Sequence, residues 1–476
     1  MGSELELKLE IAADAADELE RAGLLGPDKA HALLHATYYD TADRRLRAHG
    51  LTLRIRREGQ RLIQAVKASK GAAAGLFDRG EWEFTVPKWR PVVDDRTPLA
   101  RALGPAPTAL VAQFDLVVHR DSFAVETGGA TIDVALDRGT ARAMDRSAAF
   151  CEVELELTAG DPAALFDLAR RIDAAAPVRI GVLTKPERGV RLLGELRRAE
   201  KAGAVRLQAA QSPVAACAQV IAGCLRHYRL NETILLQQSE PEAVHQARVA
   251  LRRLRSARTI FAELLPDAAT ARLDAAVRDL AREYGKARDL DVLIARADLA
   301  DGRAEFSAQR DEAYHDLTVT LGAPATRRLM LDLAEWLAIG AWREAEDMAA
   351  VRTMPLGGFA ARALARRLRQ VRKHGRHLAE LDDEGRHALR KDAKKLRYAV
   401  DFFAGLYARG PASKLRRKFM AALEDLQHNL GELNDLAFEA EVLGPAAPDR
   451  TADKDKLLRK ASDGRHALLD CAPFWE

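Results

Sequence analysis

Hydrophobic and polar positions follow two different rhythms along this chain. Over roughly the first 200 residues, short alternating runs occur at 4–11, 51–57, 61–67, 81–86, 122–126, 130–136 and 151–157, the period of half-buried strands. Turn signals separate them, among them Glu58-Gly59, Gly71 and Gly128-Gly129. Helical spacing interrupts at 12–22 and 161–175. From residue 213 onward apolar residues recur at intervals of three and four, Ala and Leu abound and β-branched runs are scarce, which predicts helix. The stretch 194–212, rich in charge, Ala and Gln, reads as a connector.

The polar faces of the strands carry an unusual amount of matched charge. Glu4, Glu6, Lys8 and Glu10 share one face of the first strand, opposite Leu5, Leu7, Leu9 and Ile11. Arg54 and Arg56 share a face opposite Leu53 and Ile55, Glu81 pairs with Glu83, and Glu152, Glu154 and Glu156 oppose Val153, Leu155 and Leu157. Two arrangements fit this pattern. The charged faces are either solvated outer surfaces over an apolar core, or the inner wall of a closed barrel whose apolar faces pack outward against helices. In such a lumen, carboxylates alone repel each other, and so do basic groups alone. A hard divalent cation satisfies the first and a phosphate chain the second, so the lumen calls for both together.

The helical half repeats itself. His245, Arg248, Arg252, Arg253, Leu254 and Arg255 match His387, Arg390, Lys394, Lys395, Leu396 and Arg397 at an offset of 142, which Phe261 and Phe403 keep. Gly285 and Asp289 match Gly431 and Asp435 at an offset of 146. The expectation is two related helical halves packed together. On a helical wheel His245, Arg248, Arg252 and Arg255 fall on one face, as do His387, Arg390, Lys394 and Arg397, with Arg253, Lys391 and Lys395 widening the stripes. A single such stripe reads as a solvated face. Two related stripes lining one groove would attract an extended polyanion.

Bulk charge adds little until it is divided. Residues 1–200 hold 29 Lys/Arg against 31 Asp/Glu, a net of −2, and the remainder 45 against 39, a net of +6. Aromatic residues make up 5% of the chain, and Tyr398 is nearly alone beside the basic stripes. Base stacking needs more than that, so polyphosphate is favoured over nucleic acid as the polyanion. The four cysteines form no C-x-x-C pair and no zinc-type spacing. No apolar stretch reaches the roughly 20 residues needed to cross a membrane, and the acidic start lacks a signal core. The expected compartment is the reducing cytoplasm, with association to polyphosphate granules as an extension of the polyanion reading.

The first-half residues resemble the CYTH superfamily of triphosphate tunnel metalloenzymes. The resemblance rests on Glu4-x-Glu6-x-Lys8, Tyr38-Tyr39-Asp40-Thr41, Leu53-Arg54-Ile55-Arg56, Lys67, Arg79-x-Glu81-x-Glu83, Arg120, Asp137-x-Gly139, Cys151-Glu152-Val153-Glu154-Leu155-Glu156 and Leu183-Thr184-Lys185-Pro186-Glu187-Arg188. It implies an eight-stranded antiparallel tunnel barrel with flanking helices over 1–198 that hydrolyses a linear triphosphate or, in one subgroup, cyclises ATP. It also implies magnesium or manganese held by Glu4, Glu6, Asp137, Glu152 and Glu154, although all three glutamates of 152–156 share a face and the ligating pair stays open. Lys8, Arg54, Arg56, Lys67, Arg120, Lys185 and Arg188 become the triphosphate contacts. Glu4, Glu6 or Lys8 would position the attacking water.

The repeats resemble the CHAD domain, an α-helical domain named for conserved histidines and associated with inorganic polyphosphate. The resemblance covers about 212–474, after a linker at 199–211, and implies that the two basic stripes contact long-chain polyphosphate. The combined expectation is an α+β multidomain protein: a metal-dependent triphosphatase acting on inorganic tripolyphosphate, joined to an all-α polyphosphate-binding domain. The alternatives are a non-catalytic polyphosphate-binding or granule-targeting protein and a CYTH-type adenylate cyclase. Oligomeric state is not readable from the sequence.

Overall fold

The structure is a computed structural model that describes residues 5–26, 28–68, 76–77, 80–104, 109–296, 303–345, 348–443 and 449–476. In chain order the first part contains β1 (Leu5–Ile11), α1 (Ala13–Arg21), β2 (Ala30–Thr41), α2 (Arg45–Ala48), β3 (Leu51–Glu58), β4 (Arg61–Ala68), β5 (Leu76–Phe77), β6 (Gly80–Val86), α3 (Leu99–Leu103), β7 (Leu110–Thr127), β8 (Ala130–Ala143), β9 (Arg146–Ala159), α4 (Ala163–Ala175), β10 (Val178–Ile180) and α5 (Lys185–Leu192). The rest is helical: α6 (Pro213–Gln237), α7 (Pro241–Ile260), α8 (Ala268–Arg296), α9 (Arg303–Gly322), α10 (Pro324–Ile339), α11 (Ala349–Arg352), α12 (Leu356–His374), α13 (Asp383–Phe403), α14 (Gly410–Leu443) and α15 (Thr451–Leu469). No described helix is long and apolar enough to cross a membrane.

The chain forms two compact units. One comprises Met1–Lys201, Leu225–Ala250 and Ala271–Gly340; the other comprises Ala202–Cys224, Leu251–Thr270 and Ala341–Glu476.

In the first unit the strands form one antiparallel sheet in the order β10-β1-β9-β8-β7-β2-β3-β4-β6, with β5 pairing β1 off that path. The expected closed barrel of eight strands is therefore not what forms: nine strands run in one open path. The reason lies at β1. Its free edge is divided between β10, which pairs Leu9–Ile11, and β5, which pairs Glu6 and Leu7, so among the described residues β6 ends the sheet paired only to β4.

The apolar faces of the charged strands point away from the polar ones and are buried: Leu7, Leu9, Ile55, Val153 and Leu155 are all 0% exposed. Helices α1 and α4 pack against β9, and α2 and α3 cover β3 and β4 through Leu46, Leu99 and Leu103. On the opposite faces Lys8, Asp137 and Glu152 are buried as well, so the solvated-surface alternative fails and the charged faces turn inward. They do not line the whole interior. Ala36, Tyr38, Phe114, Leu116 and Val118 make an apolar inner patch on β2 and β7, covered by Val190, Leu192 and Leu193 at the end of α5. Helix α5 sits close because residue 189 is glycine: a Cβ there would meet the Phe114 ring at 2.0 Å. Its start is fixed by a capping box between Thr184 and Glu187.

In the second unit Phe261 stacks on Phe359 at 5.3 Å and meets its repeat partner Phe403 at 5.7 Å. The two copies of the repeat thus share one core through their matching phenylalanines. Helix α13 starts on an Asp382 cap that accepts from the Gly385 amide at 2.7 Å.

Candidate active site

Sheet register sorts the inner charges into rows. Across β8, β9 and β1 the outermost row is Asp133, Glu156, Glu6; the next is Ala135, Glu154, Lys8; the innermost is Asp137, Glu152, Glu10. On the other wall, β3, β4 and β6 place Arg54 level with Ala65 and Glu83, and Lys67 level with Thr52 and Glu81, with Arg56 one step along β3. One wall is therefore rich in carboxylates and the other carries arginines and a lysine. Between them lies a cavity of about 1380 Å³ lined by Glu6, Lys8, Arg54, Arg56, Lys67, Arg120, Glu154 and Lys185 among others. Asp137 and Glu152 lie behind this surface, 0% exposed. Arg188 does too, held between Glu10 at 2.9 Å and Glu152 at 3.1 Å. Glu4 and Arg79 fall outside the described residues.

The carboxylates behind the outermost row are already paired with cations. The carboxylates of Asp137, Glu152 and Glu154 converge within 4.8 Å of one another, and the Lys185 ammonium sits 2.6, 2.7 and 2.7 Å from them. Arg120 adds bonds to Asp137 at 2.7 and 2.6 Å and to Glu154 at 2.6 Å, and Lys8 donates to Glu152 at 3.1 Å and to Glu154. Burial alone would raise the Glu152 carboxyl; Lys185 and then Lys8 override it and hold it at about 2. The Lys185 ammonium, which burial would push down, is pushed up by Glu152 and Glu154.

A depressed carboxylate contributes stability above its ordinary value of 4.5 that is lost as the pH falls toward about 2. Thermal melts through that window are expected to fall more steeply for the wild-type chain than for Glu152→Gln. Equal slopes would contradict the ion-pair assignment.

The outer row is different. Glu6 faces Glu156 in register, Asp133 follows on β8, and none of the three strands carries a cation in that row. The Glu6 carboxyl is pushed up, first by burial and then by Glu154, against the pull of Lys8. Lys185 and Lys67 also pull on Glu6 from outside the row, but in register three carboxylates meet there, hard oxygen donors of the kind a divalent cation takes. By register Glu156 is the glutamate of 152–156 that faces Glu6, Glu154 lies one row behind and Glu152 two. Asp133 was not among the expected residues. Its alternation with Ile132 and Val134 puts it on the Asp137 face, but its nearness to Glu156 comes only from sheet register.

On the basic wall Lys67 reaches Glu81 at 2.8 Å and Arg54 reaches Glu83 at 3.3 Å. The Arg56 guanidinium is pushed down by burial and then by neighbouring Arg54. Two half-buried arginines held close in this way form a ready seat for an anion.

The helical repeat places its basic residues unevenly. In the first unit Arg248 donates to Asp289 at 2.9 Å and packs over Gly285, where a Cβ would sit 3.7 Å from the guanidinium; His245 is half-buried. In the second unit the matching Arg390 packs over Gly431 at the same 3.7 Å, with Asp435 as its nearby charge. The repeat thus encodes one device twice: an arginine laid on a glycine with an aspartate behind it. His387, Lys391 and Arg397 are exposed and Arg252, Arg255, Lys394 and Lys395 half-buried. Arg253 is not in the stripe. It is 8% exposed, lies 4.9 Å from the Phe402 ring and 5.5 Å from the Tyr398 ring, and reaches Asp401 at 3.6 Å.

A family model for the CYTH domain matches residues 2–190, and one for the CHAD domain matches residues 219–444. The chain joins a CYTH domain to a CHAD domain. Among curated proteins, one from Haemophilus influenzae named inorganic triphosphatase is 30% identical over 203 residues, covering 41% of this chain. The match spans 56% of that relative's length. Among solved structures, the CHAD domain of Ricinus communis aligns at 28% identity with a TM-score of 0.47, over 57% of this chain and 97% of that one. A Hippeastrum protein described as an adenylyl cyclase with dominant triphosphatase activity aligns at 18% identity and a TM-score of 0.30, over 40% of this chain and 97% of that one.

Proposed function

We propose that the CYTH lumen hydrolyses a linear triphosphate, inorganic tripolyphosphate foremost, to pyrophosphate and phosphate with a divalent cation present. The observation that carries this reading is the opposition of a carboxylate wall to an arginine and lysine wall across one cavity. Glu6 and Glu156, with Glu4 as a further ligand and Glu154 drawn from its lysine and arginine partners, would hold magnesium or manganese, which would supply charge neutralisation at phosphate oxygens. Arg54, Arg56 and Lys67 seat the phosphate chain from one wall, and Lys8, Arg120 and Lys185 reach it from the other. Phosphoryl transfer needs mainly positioning and fixed charge, which this wall arrangement provides. Lys8 already donates to two carboxylates, which leaves Glu6 the better placed group to orient the attacking water.

The cavity lining offers little to a nucleoside. Tyr38 and Phe123 are its aromatic residues among those described, and Tyr38 is already stacked on Phe114 at 4.7 Å. Phosphate release is therefore expected to be fastest with tripolyphosphate, compared with ATP and thiamine triphosphate in parallel assays. Formation of cyclic AMP from ATP, or a higher kcat/KM for either organic substrate, would overturn this choice.

We further propose that the CHAD domain binds long-chain polyphosphate through the repeated basic residues. The Arg390 guanidinium is pushed down by burial and, against the pull of Asp435, by Arg252, and a polyanion relieves that cost. Tyr398 is stacked with Phe402, which removes it as a platform for bases. Replacing Arg390 and Lys394 together with alanine is expected to weaken polyphosphate binding by about one to two orders of magnitude and to flatten its salt dependence. Competition with single-stranded DNA is the check: preferential DNA binding would contradict the reading.

A further inference from the structure

The segment that carries Lys185 into the lumen is gripped by two arginines of α6. Arg226 donates to the Val182 carbonyl and, at 2.6 Å, to Glu187, the acid of the capping box that starts α5. Arg229 is 2% exposed. It donates to the Ile180 carbonyl at 3.0 Å and to Glu10 at 3.4 Å, and also pairs with Glu232. Glu10 is therefore shared. One of its oxygens faces Arg229 and the other accepts from Arg188, while Arg188 divides itself between Glu10 and Glu152. Glu152 in turn holds Lys185. A line of charges thus runs from α6 to the lumen: Arg229, Glu10, Arg188, Glu152, Lys185.

We infer that Arg229 is a positioning residue for triphosphate hydrolysis, acting through Glu10 and Arg188 on how tightly Glu152 retains Lys185. The inference rests on the triphosphatase reading above. With Arg229 in place Glu10 has two cations, so Arg188 is left partly free to neutralise Glu152. Without Arg229, Glu10 draws Arg188 to itself. Glu152 then loses a donor and grips Lys185 harder, and less of the lysine is available to the phosphate chain. Removing the charge of Glu10 does the reverse. Arg188 turns wholly to Glu152, and Lys185 is released toward substrate. The two substitutions therefore act in opposite directions, which a loss of packing does not produce.

The test is steady-state tripolyphosphate hydrolysis by the full chain at saturating Mg²⁺. Arg229→Gln is expected to raise KM about tenfold, as outer partners of a charged site do, with kcat changed about twofold or less. Glu10→Gln is expected to lower KM. Arg229→Lys, which restores a charge opposite Glu10 without the bond to Ile180, is expected to recover most of the wild-type KM. A KM shift of the same sign in both Gln variants, or no shift, would overturn the relay. So would a fall in kcat alone, which reports lost folded protein. Failure of the wild-type chain to release phosphate would instead count against the triphosphatase reading. The relay is then decided by amide hydrogen exchange: Arg229→Gln speeds exchange over residues 181–192 and leaves 130–143 unchanged, and unaltered exchange over 181–192 overturns it.

Discussion

Replacing Glu6 with alanine is expected to lower tripolyphosphate hydrolysis by about three orders of magnitude, the scale on which charge stabilisation at a phosphoryl-transfer site acts. Glu6 stands in the row where carboxylates outnumber cations. Its neighbours across the sheet are Glu156 and, through β9, Asp133. Asp137 and Glu152 in the innermost row differ, because Lys185, Arg120 and Lys8 already pair with them. The loss should therefore show as weakened metal dependence: the Glu6→Ala chain requires far more Mg²⁺ for half-maximal rate. The fold should tolerate the change, since the Glu6 side chain is 31% exposed and its ion-pair contact with Lys8 is a long 3.8 Å. A Glu6→Ala chain with full activity and unchanged Mg²⁺ requirement would contradict the assignment of the outer row.

Arg56→Ala is expected to lower kcat/KM for tripolyphosphate by about two to three orders of magnitude while leaving thermal stability unchanged or slightly higher. In the free protein Arg56 sits beside Arg54, and burial and that neighbour both disfavour its charge. Ion pairs with Glu58 and Glu83 offset part of this. Removing Arg56 relieves repulsion in the free state and removes a phosphate contact in the bound state, so stability and activity should move apart. Paired melting and kinetic measurements on one preparation test this. A large drop in melting temperature accompanying the activity loss would mean that Arg56 is mainly structural.

Much of this arrangement was legible in the sequence, for identifiable reasons. The strict alternation of β1 and β9 separates charge from Leu and Val, so their two faces could be read directly. The repeat matched Arg248 with Arg390, and Gly285 and Asp289 with Gly431 and Asp435, but that each arginine meets its aspartate shows only in the folded chain. Other features depend on partners that a single strand does not reveal. Strand β2 was marked only at Tyr38–Thr41, by resemblance, and not by alternation, because it carries apolar residues on both faces, Leu33 at 57% exposure outside and the Tyr38 patch within. Strand β7 begins at Leu110, twelve residues before the alternating run that marked it, because Phe114, Leu116 and Val118 face α5 instead of a polar lumen. The open sheet follows from competition for the edge of β1 by two short strands, β5 and β10, and neither is long enough to carry a periodic signal. Arg253 falls near its stripe on a helical wheel, yet the rings of Tyr398 and Phe402 on α13 lie against it. The relay through Glu10 joins residues 219 positions apart, a juxtaposition that only the folded chain displays.

The central claim is that the opposed walls of the lumen hydrolyse a linear triphosphate with a divalent cation. It is tested most directly by stripping the full chain of metal, adding tripolyphosphate, and following phosphate and pyrophosphate as Mg²⁺ is titrated in. The account predicts no release without the cation, and saturable release of the two products in equal amounts with it. Release that is independent of Mg²⁺, or none at any Mg²⁺ concentration, would contradict it.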